Sequence, residues 1–581
     1  MKMINLTING IQVKAEENMT ILEAAKSVGI NIPTLCHMKD LYPTGACRIC
    51  VVEVKGMNGL TPSCAFPVQE GMIVETNTPR VKTARKTIVE LLVENHPQDC
   101  LICVRNKNCE LQNLAETYGL REHRYVGKTK SHAIDISSPS MERDPAKCIL
   151  CGRCVRTCNE IQKVGAIDFI NRGFESNVTT PFNKGLNISE CILCGQCILV
   201  CPTAALREKS STKEVVNALM NKNIHVVAQI APAVRASIGE EYNMPIGSNV
   251  TGQIITGLKR LGFKKVFDTN FAADLTIIEE SAELIDRLSK NKNLPMFTSC
   301  CPGWIKYLEQ KEPDLLKHVS TCKSPQEMEG AVIKSYYAEK MNLDPKDIYV
   351  VSIMPCTVKK FESERPELSH NHIPDVDAVL TTRELVRLFK TSGIDFDNLP
   401  EDKFDNPLGE STGAAAIFGT SGGVLEAALR TAYFKLTGEN PKSPIFEELR
   451  GTEGLRSFVV KINGKEIKTA IVNGIGNVQS LLEKLKKGEL EYDFIEVMAC
   501  HGGCINGGGQ PIHQDENRVK ERVKALYKID EKAKMRYSHE NSSILKIYDE
   551  YFEEPNSRTA HKILHTTYVD RKKLIRVNAK H

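Results

Sequence analysis

The chain has 581 residues, of which 41% are hydrophobic and 25% charged, and a net charge of +4. This is ordinary for a soluble globular protein, and so small a net charge gives no reason to expect a nucleic-acid partner. No uncharged apolar run is long enough to cross a membrane, and the opening MKMINLTINGIQV reads as strand and turn rather than an export signal, so a cytoplasmic protein with no membrane partner is expected. The length suggests roughly four domains. Twenty-one cysteines are too many for an ordinary enzyme of a reducing compartment, where Cys-x-x-Cys spacing favours metal over disulfides.

Residues 1–78 read as short alternating strands around one helix, Thr20–Val28, stopped by Gly29. Cys36, Cys47, Cys50 and Cys64 follow, a close pair flanked by one distant cysteine on each side. The pattern resembles a plant-type 2Fe–2S ferredoxin module of the β-grasp kind, with a longer first gap; a zinc ribbon is the alternative. Residues 79–127 open with a helix from Val81 to Glu94 and carry Cys100, Cys103 and Cys109. Three thiols leave a four-ligand cluster one donor short, and His96 is the nearest candidate. Residues 128–210 hold Cys148, Cys151, Cys154 and Cys158, then Cys191, Cys194, Cys197 and Cys201. This duplicated run is the bacterial two-cluster ferredoxin pattern, in which the fourth cysteine of each run serves the other cluster. Asn159 stands where a proline is usual after the first run.

Residues 211–581 alternate helices and strands, which predicts parallel sheets with covering helices. Helices are expected from Val215 and over Val250–Leu261, and strands over His225–Ile230 and Lys265–Asp268. Three apolar strands exit into cysteine. One delivers Cys300 and Cys301 in TSCCPGW, another Cys356 in MPCTVKKFE, and the third Cys500 and Cys504 in EVMACHGGCINGGGQP. Ligands bind beyond the carboxyl ends of such strands, so the three exits suggest one site with Cys301, Cys356, Cys500 and Cys504 as ligands. The last two fit one metal centre if their loop curls as a helical turn. A second candidate feature is the amphipathic helix Thr276–Leu288, whose apolar stripe of Ile277, Leu284, Ile285 and Leu288 includes Glu280. Burial there raises a carboxyl pKa. Glu283 and Arg287 are spaced as an ion pair, read by themselves as a solvated helix edge. Cys322 reads as a buried structural cysteine. Arg558–His581 is basic and poor in apolar residues and reads as a surface tail.

The three cysteine signatures, in this order, resemble the FeFe (diiron) hydrogenases, and the N-terminal motifs extend that resemblance over nearly the whole chain. It implies an α/β two-lobed catalytic domain, residues 211–581, behind N-terminal α+β ferredoxin-like iron–sulfur modules at 1–78, 79–127 and 128–210. It implies a 2Fe–2S cluster, three accessory 4Fe–4S clusters, one of them held by His96 with three cysteines, and an H-cluster. The last is a 4Fe–4S cubane on the four catalytic-domain cysteines, bridged by Cys504 to a diiron subsite with CO, CN and dithiolate ligands. Lys359, Gln326 and the backbone of Ala231, Pro232 and Ala233 are implied to meet the diatomic ligands, with Met354 and Met498 as soft apolar walls that equally suit plain core packing. Ala233 replaces the serine usual in the family. Glu362 is placed to pair with Lys359. The implied proton relay is Cys300, Glu280, Ser320, Glu283 and Arg287.

The resulting expectation is an enzyme that interconverts protons, electrons and H₂. Its implied partners are ferredoxin or a similar small carrier and maturation proteins that insert the diiron subsite. One alternative is the catalytic subunit of an NAD(P)-linked complex, which would need partner subunits because this chain has no G-x-G-x-x-G fingerprint. Others are a hydrogen sensor or an iron–sulfur assembly protein, which Cys300 and Glu280 argue against. A respiratory-complex iron–sulfur subunit would share only the N-terminal modules.

Overall fold

Two four-stranded sheets face one another across the centre of the molecule, in a computed structural model that describes residues 2–125, 127–129, 133–512 and 515–572. The first sheet has the order Lys265–Asp268, His225–Ile230, Ile348–Met354, Ala378–Thr381, and all its neighbours are parallel. Its central strands read HVVAQI and IYVVSIM because helices cover both faces. The second has the order Met296–Phe297, Phe494–Met498, Lys465–Asn473, Leu455–Ile462. Its first three strands are parallel, but the outer two form an antiparallel hairpin. This differs from the all-parallel expectation. The turn is Asn463-Gly464, both at positive φ, the sequence a two-residue hairpin demands, and the edge strand alternates buried and exposed residues as a one-sided strand does.

Between the sheets runs the helix Thr269–Lys290, packed against Pro325–Val332 on one side and Gly423–Thr437 on the other. Every residue from Thr269 to Ser281 is buried, so this half is enclosed all round and its polar groups need internal partners. Both sheets point their carboxyl ends at the same cleft, where the strands ending at Phe297, Met354 and Met498 deliver the cysteines.

The N-terminal 79 residues form a five-stranded sheet, ordered Ile11–Glu16, Met3–Ile8, Ile73–Glu75, Val51–Val54, Thr61–Pro62. Its helix, Ile21–Ser27, begins in a capping box between Thr20 and Glu23. The two-cluster region has two short antiparallel pairs, Met141–Arg143 with Leu206–Glu208 and Asp168–Ile170 with Asn177–Thr179.

The supposed tail is not one as far as it is described. Arg558–Leu564 is a helix, capped by Ser557, that buries Ala560, Ile563 and Leu564 in the core of the first lobe. These lie at i, i+3 and i+4, a single apolar face that the basic composition around it conceals. The segment 573–581 of that expectation lies outside the described residues. Cys322 is fully buried, and it pairs in an antiparallel bridge with His565. Leu564→Ala should therefore lower stability by about 2–5 kcal/mol in denaturant unfolding of the metal-free protein, where a surface tail would show no change.

Candidate metal centre and proton path

Where the strand ends converge, Cys300, Cys301, Cys356, Cys500 and Cys504 line one largely apolar cavity. Cys356 comes from the first lobe; the others come from the second. The same wall includes Ala231, Pro232, Ala233, Gln326, Met354, Lys359 and Met498, so every residue the resemblance placed around the catalytic group faces the same space. No disulfide joins these cysteines. Burial pushes the thiols up, Cys356 to about 11, so an apolar cavity alone gives their ionised forms no support. A soft metal that takes them as thiolates supplies it, and this donor set suits an iron–sulfur group.

The loop bearing Cys500 and Cys504 is not a helical turn. Gly502 and Gly503 adopt φ of +77° and +97°, and one 3₁₀ turn, Cys504–Asn506, follows. Left-handed backbone bends the chain faster than a helix would and brings both sulfurs to the same wall. A Cβ on Gly507 would lie 2.3 Å from the Pro355 carbonyl oxygen, so this loop and the Cys356 loop touch backbone to backbone.

Lys359 Nζ donates to Glu362 Oε2 at 2.7 Å, to Ser324 Oγ at 2.7 Å and to the Cys300 carbonyl at 3.4 Å. Burial opposes its charge, but the Glu362 carboxylate beside it holds its pKa above the usual lysine range. Gln326 is tied into this network through Nε2, which donates to Glu327 at 2.6 Å and more weakly to the Lys359 carbonyl and Glu362. Its amide nitrogen is thus engaged within the wall rather than free for a ligand. Met354 and Met498 both line the cavity and belong to the two lobe cores, so packing and cavity-lining coincide.

Glu280 lies on the enclosed half of the central helix, 1% exposed. Burial, reinforced by the neighbouring Glu283, pushes its carboxyl up to about 8, and its Oε1 has no partner. A buried carboxyl that keeps its proton at neutral pH is suited to proton transfer. Ser320 Oγ donates to Glu283 Oε2 at 2.9 Å, and Arg287 donates to Glu283 Oε1 at 2.5 Å. This pair is not a solvated edge: its side chains are 9% and 13% exposed, because Arg287 also donates to the carbonyls of His318 and Val319. Burial raises the Cys300 thiol well above its ordinary range. Sequence reasoning missed Ser324, the polar residue at the Ser-Pro helix start. It also missed Glu496, a buried strand carboxyl pushed up to about 7 and accepting from Gly422 N and Leu425 N.

The accessory cysteines of the two-cluster region gather in matching groups. One cavity is lined by Cys158 with Cys191, Cys194 and Cys197; another by Cys201 with Cys148, Cys151 and Cys154. The fourth cysteine of each run therefore crosses to the other group. Near the N-terminus, Cys50 and Cys64 sulfurs are 3.3 Å apart, and Cys36 contacts both Cys47 and Cys64. His96 Nδ1 sits 3.0 Å from the Pro97 carbonyl, while Nε2 is buried without a partner. A ring nitrogen held by a carbonyl leaves the other as an oriented lone pair, which is how a ligating histidine is set. Contacts also link the groups. Arg156 donates to Cys36 O and Cys151 O, Arg153 pairs with Glu110, and Thr357 Oγ1 donates to Leu193 O. A Cβ on Gly195 would meet Thr357 Oγ1 at 2.6 Å and Gly508 Cα at 3.0 Å, so the Cys194 loop lies directly against the catalytic loops.

Comparison with known proteins agrees with this geometry. Residues 224–508 match the iron-only hydrogenase large subunit, C-terminal domain, and 516–571 the iron hydrogenase small subunit. Residues 1–79 match a 2Fe–2S cluster binding domain, 85–124 an iron–sulfur binding region of NADH-ubiquinone oxidoreductase-G, and 147–205 a 4Fe–4S dicluster domain. The chain is 48% identical to NADP-reducing hydrogenase subunit HndD of Solidesulfovibrio fructosivorans, over 99% of this chain and 100% of that one. It is 42% identical to iron hydrogenase 1 of Clostridium pasteurianum, over 97% of this chain and 100% of that one. A solved apo FeFe-hydrogenase from Chlamydomonas reinhardtii superposes with a TM-score of 0.57 at 42% identity, covering 62% of this chain and 99% of that one. The fold and site thus define an iron–sulfur oxidoreductase of hydrogen. This chain belongs to the FeFe-hydrogenase family, with 2Fe–2S and 4Fe–4S domains ahead of an H-cluster domain.

If Glu280 holds its proton as its surroundings require, infrared difference spectra of the protein should show a protonated carboxyl at pH 7. That signal should titrate away as pH rises past about 8, and Glu280→Gln should lack it. An ionised Glu280 at pH 7 would contradict the reading.

Proposed function

We propose that this hydrogenase delivers protons to its catalytic group through Cys300, and electrons through the N-terminal modules. The observation that carries the proposal is the shared cavity, in which four cysteines from two lobes and the unassigned fifth, Cys300, face the same space. Cys301, Cys356, Cys500 and Cys504 would hold the cubane, with Cys504 also tethering the diiron subsite. When bound, that group supplies the redox chemistry of 2H⁺ + 2e⁻ ⇌ H₂. The chain's own residues do the rest. Lys359, kept charged by Glu362, presents a fixed positive donor to the cavity. Met354, Met498 and Phe418 help keep the walls apolar. Ala233 offers no hydroxyl, so only backbone groups serve there. Cys300 passes protons at the cavity wall, and Glu280, Ser320 and Glu283 relay them outward, with Arg287 fixing Glu283 in place.

For electrons, Cys36, Cys47, Cys50 and Cys64 would hold a 2Fe–2S cluster, His96 with Cys100, Cys103 and Cys109 a 4Fe–4S cluster, and the two crossed groups one 4Fe–4S cluster each. A fully loaded chain then carries about twenty irons. The Cys191–Cys197 group lies against the catalytic loops and is the last step inward. We assign the enzyme to the cytoplasm, matured by dedicated proteins that insert the diiron subsite, with reduced ferredoxin as donor. Among the described residues no helix is long and apolar enough to cross a membrane.

A second reading has support of its own. The similarity to a subunit of an NADP-reducing hydrogenase suits a chain that receives electrons from partner subunits. Leu101 and Ile102, 91% and 85% exposed between Cys100 and Cys103, offer an apolar contact at the surface cluster. The isolated, matured chain should evolve hydrogen with reduced ferredoxin and not with NADPH; a ferredoxin-silent chain that works only with added subunits would favour the second reading.

Cys300→Ala should leave iron content and cluster spectra intact yet lower turnover by at least the roughly 10²–10⁴ of a positioned acid–base group. Cys300→Asp should lose less. Cys504→Ala should lose the diiron unit itself. Hydrogen evolution at the unmodified rate by Cys300→Ala would refute proton delivery through this thiol.

A further inference from the structure

We propose that the proton path has a second branch, Thr321–His565–His561, which joins it at Glu283 and opens to solvent through the C-terminal segment. The inference rests on the relay reading above.

Arginine does not deprotonate in proteins, so Arg287 anchors Glu283 without passing it a proton. Glu283 needs another neighbour for that exchange. Its Oε2 accepts from Thr321 N at 3.1 Å and from Thr321 Oγ1 at 3.4 Å. Thr321 Oγ1 lies 2.8 Å from His565 Nδ1, and His565 Nε2 lies 3.0 Å from Glu279 Oε2. Glu279 also accepts from Asn556 N at 2.8 Å and from the Tyr548 hydroxyl. Backbone bonds seat the imidazole: Lys323 N donates to Leu564 O at 2.8 Å, and Thr566 N to Thr321 O at 2.8 Å, on either side of the Cys322–His565 bridge. His565 is 7% exposed, whereas His561, one helical turn earlier, is exposed with its ring centroid 4.1 Å away. His561 therefore marks the solvent side of His565, in ring contact with it rather than hydrogen-bonded to it.

The groups facing His565 are Glu279, Glu283, Cys322 and His561, with Tyr548 behind Glu279. A carboxylate oxygen of Glu283, the Cys322 sulfur and a His565 nitrogen all lie within 4.8 Å of one another. Both imidazole nitrogens already have partners, so a metal ion there would have to break one of those bonds, and a proton conduit uses them as they stand. In the neutral ring, Nε2–H donates to Glu279 and Nδ1 accepts from Thr321. When the Thr321 hydroxyl turns to Glu283, Nδ1 is freed, and a proton taken from solvent on the His561 side adds there to make the imidazolium, which Glu279 stabilises. Nδ1–H then donates to Thr321 Oγ, and the threonine hydroxyl hydrogen passes to the Glu283 carboxylate. One proton enters and one is delivered; only N–H and O–H bonds change, and no electron moves.

Thr321→Val tests the branch, because it removes the hydroxyl while keeping shape and the backbone bond to Glu283. In the matured enzyme, with iron content matched, it should lower hydrogen evolution by about tenfold, a lesser effect than loss of the whole relay. The loss should deepen as pH rises and protons become scarce, and Thr321→Ser should recover most of it. His561→Ala, at an exposed site where folding is not at stake, should shift the pH profile in the same sense. Unmodified rates and profiles in both Thr321→Val and His561→Ala, beside an impaired Glu283→Gln, would overturn the branch and leave the relay standing. An unimpaired Glu283→Gln would remove the relay itself.

Discussion

Everything in this molecule answers to one constraint: four thiols from two separate sheets must meet at one point. Cys356 leaves the first sheet; Cys301, Cys500 and Cys504 leave the second. In an apolar cavity these thiols resist ionisation, so their pairing depends on a metal that takes them as thiolates. On the reading proposed above, the group they would hold also closes the lobes on each other. The glycines around it follow from the same demand, since Gly507 and Gly508 sit where any side chain would collide with backbone of the Cys356 loop or the Cys194 loop.

Closing two lobes around a cavity buries charge, and the structure meets that cost with matched pairs. Arg522, fully buried, holds both oxygens of Glu240 at 2.6 Å and donates to the carbonyls of Ile505 and Pro511, which brackets the Cys504 loop. Arg383 binds Glu208 of the two-cluster region and also the carbonyls of Gly508 and Gln510. One guanidinium thus fixes the two-cluster region to the catalytic loop. Glu280 departs from that rule, as Glu327 and Glu329 do, and it is the one of the three placed on the proposed proton path. It has an oxygen with no partner in the described structure, and that leaves it a neutral acid at a pH where other carboxyls are ionised.

The cysteine groups were legible because ligand spacing is a local property: each Cys-x-x-Cys turn is written within a few residues. The strand exits were legible for the same reason, and their convergence followed from the carboxyl-end rule of parallel sheets. What escaped was set by long-range packing. The i,i+4 spacing of Cys500 and Cys504 suggested a helical turn, but two left-handed glycines between them decide otherwise. Glu283 and Arg287 carry the pattern of a surface pair; only the carbonyls of residues 318 and 319, some thirty positions on, make them an interior one. His565 gave no sign in a basic segment, since its partners lie near residues 279 and 321.

The central claim is that iron, not another metal, joins the lobes at this cavity. Anomalous diffraction from crystals of the matured protein, recorded at the iron and zinc edges, tests it directly. Iron density bounded by the sulfurs of Cys301, Cys356, Cys500 and Cys504, with further iron beyond Cys504 and facing Cys300, is the expected result. Zinc in that place, or iron bound without Cys356, would contradict the account.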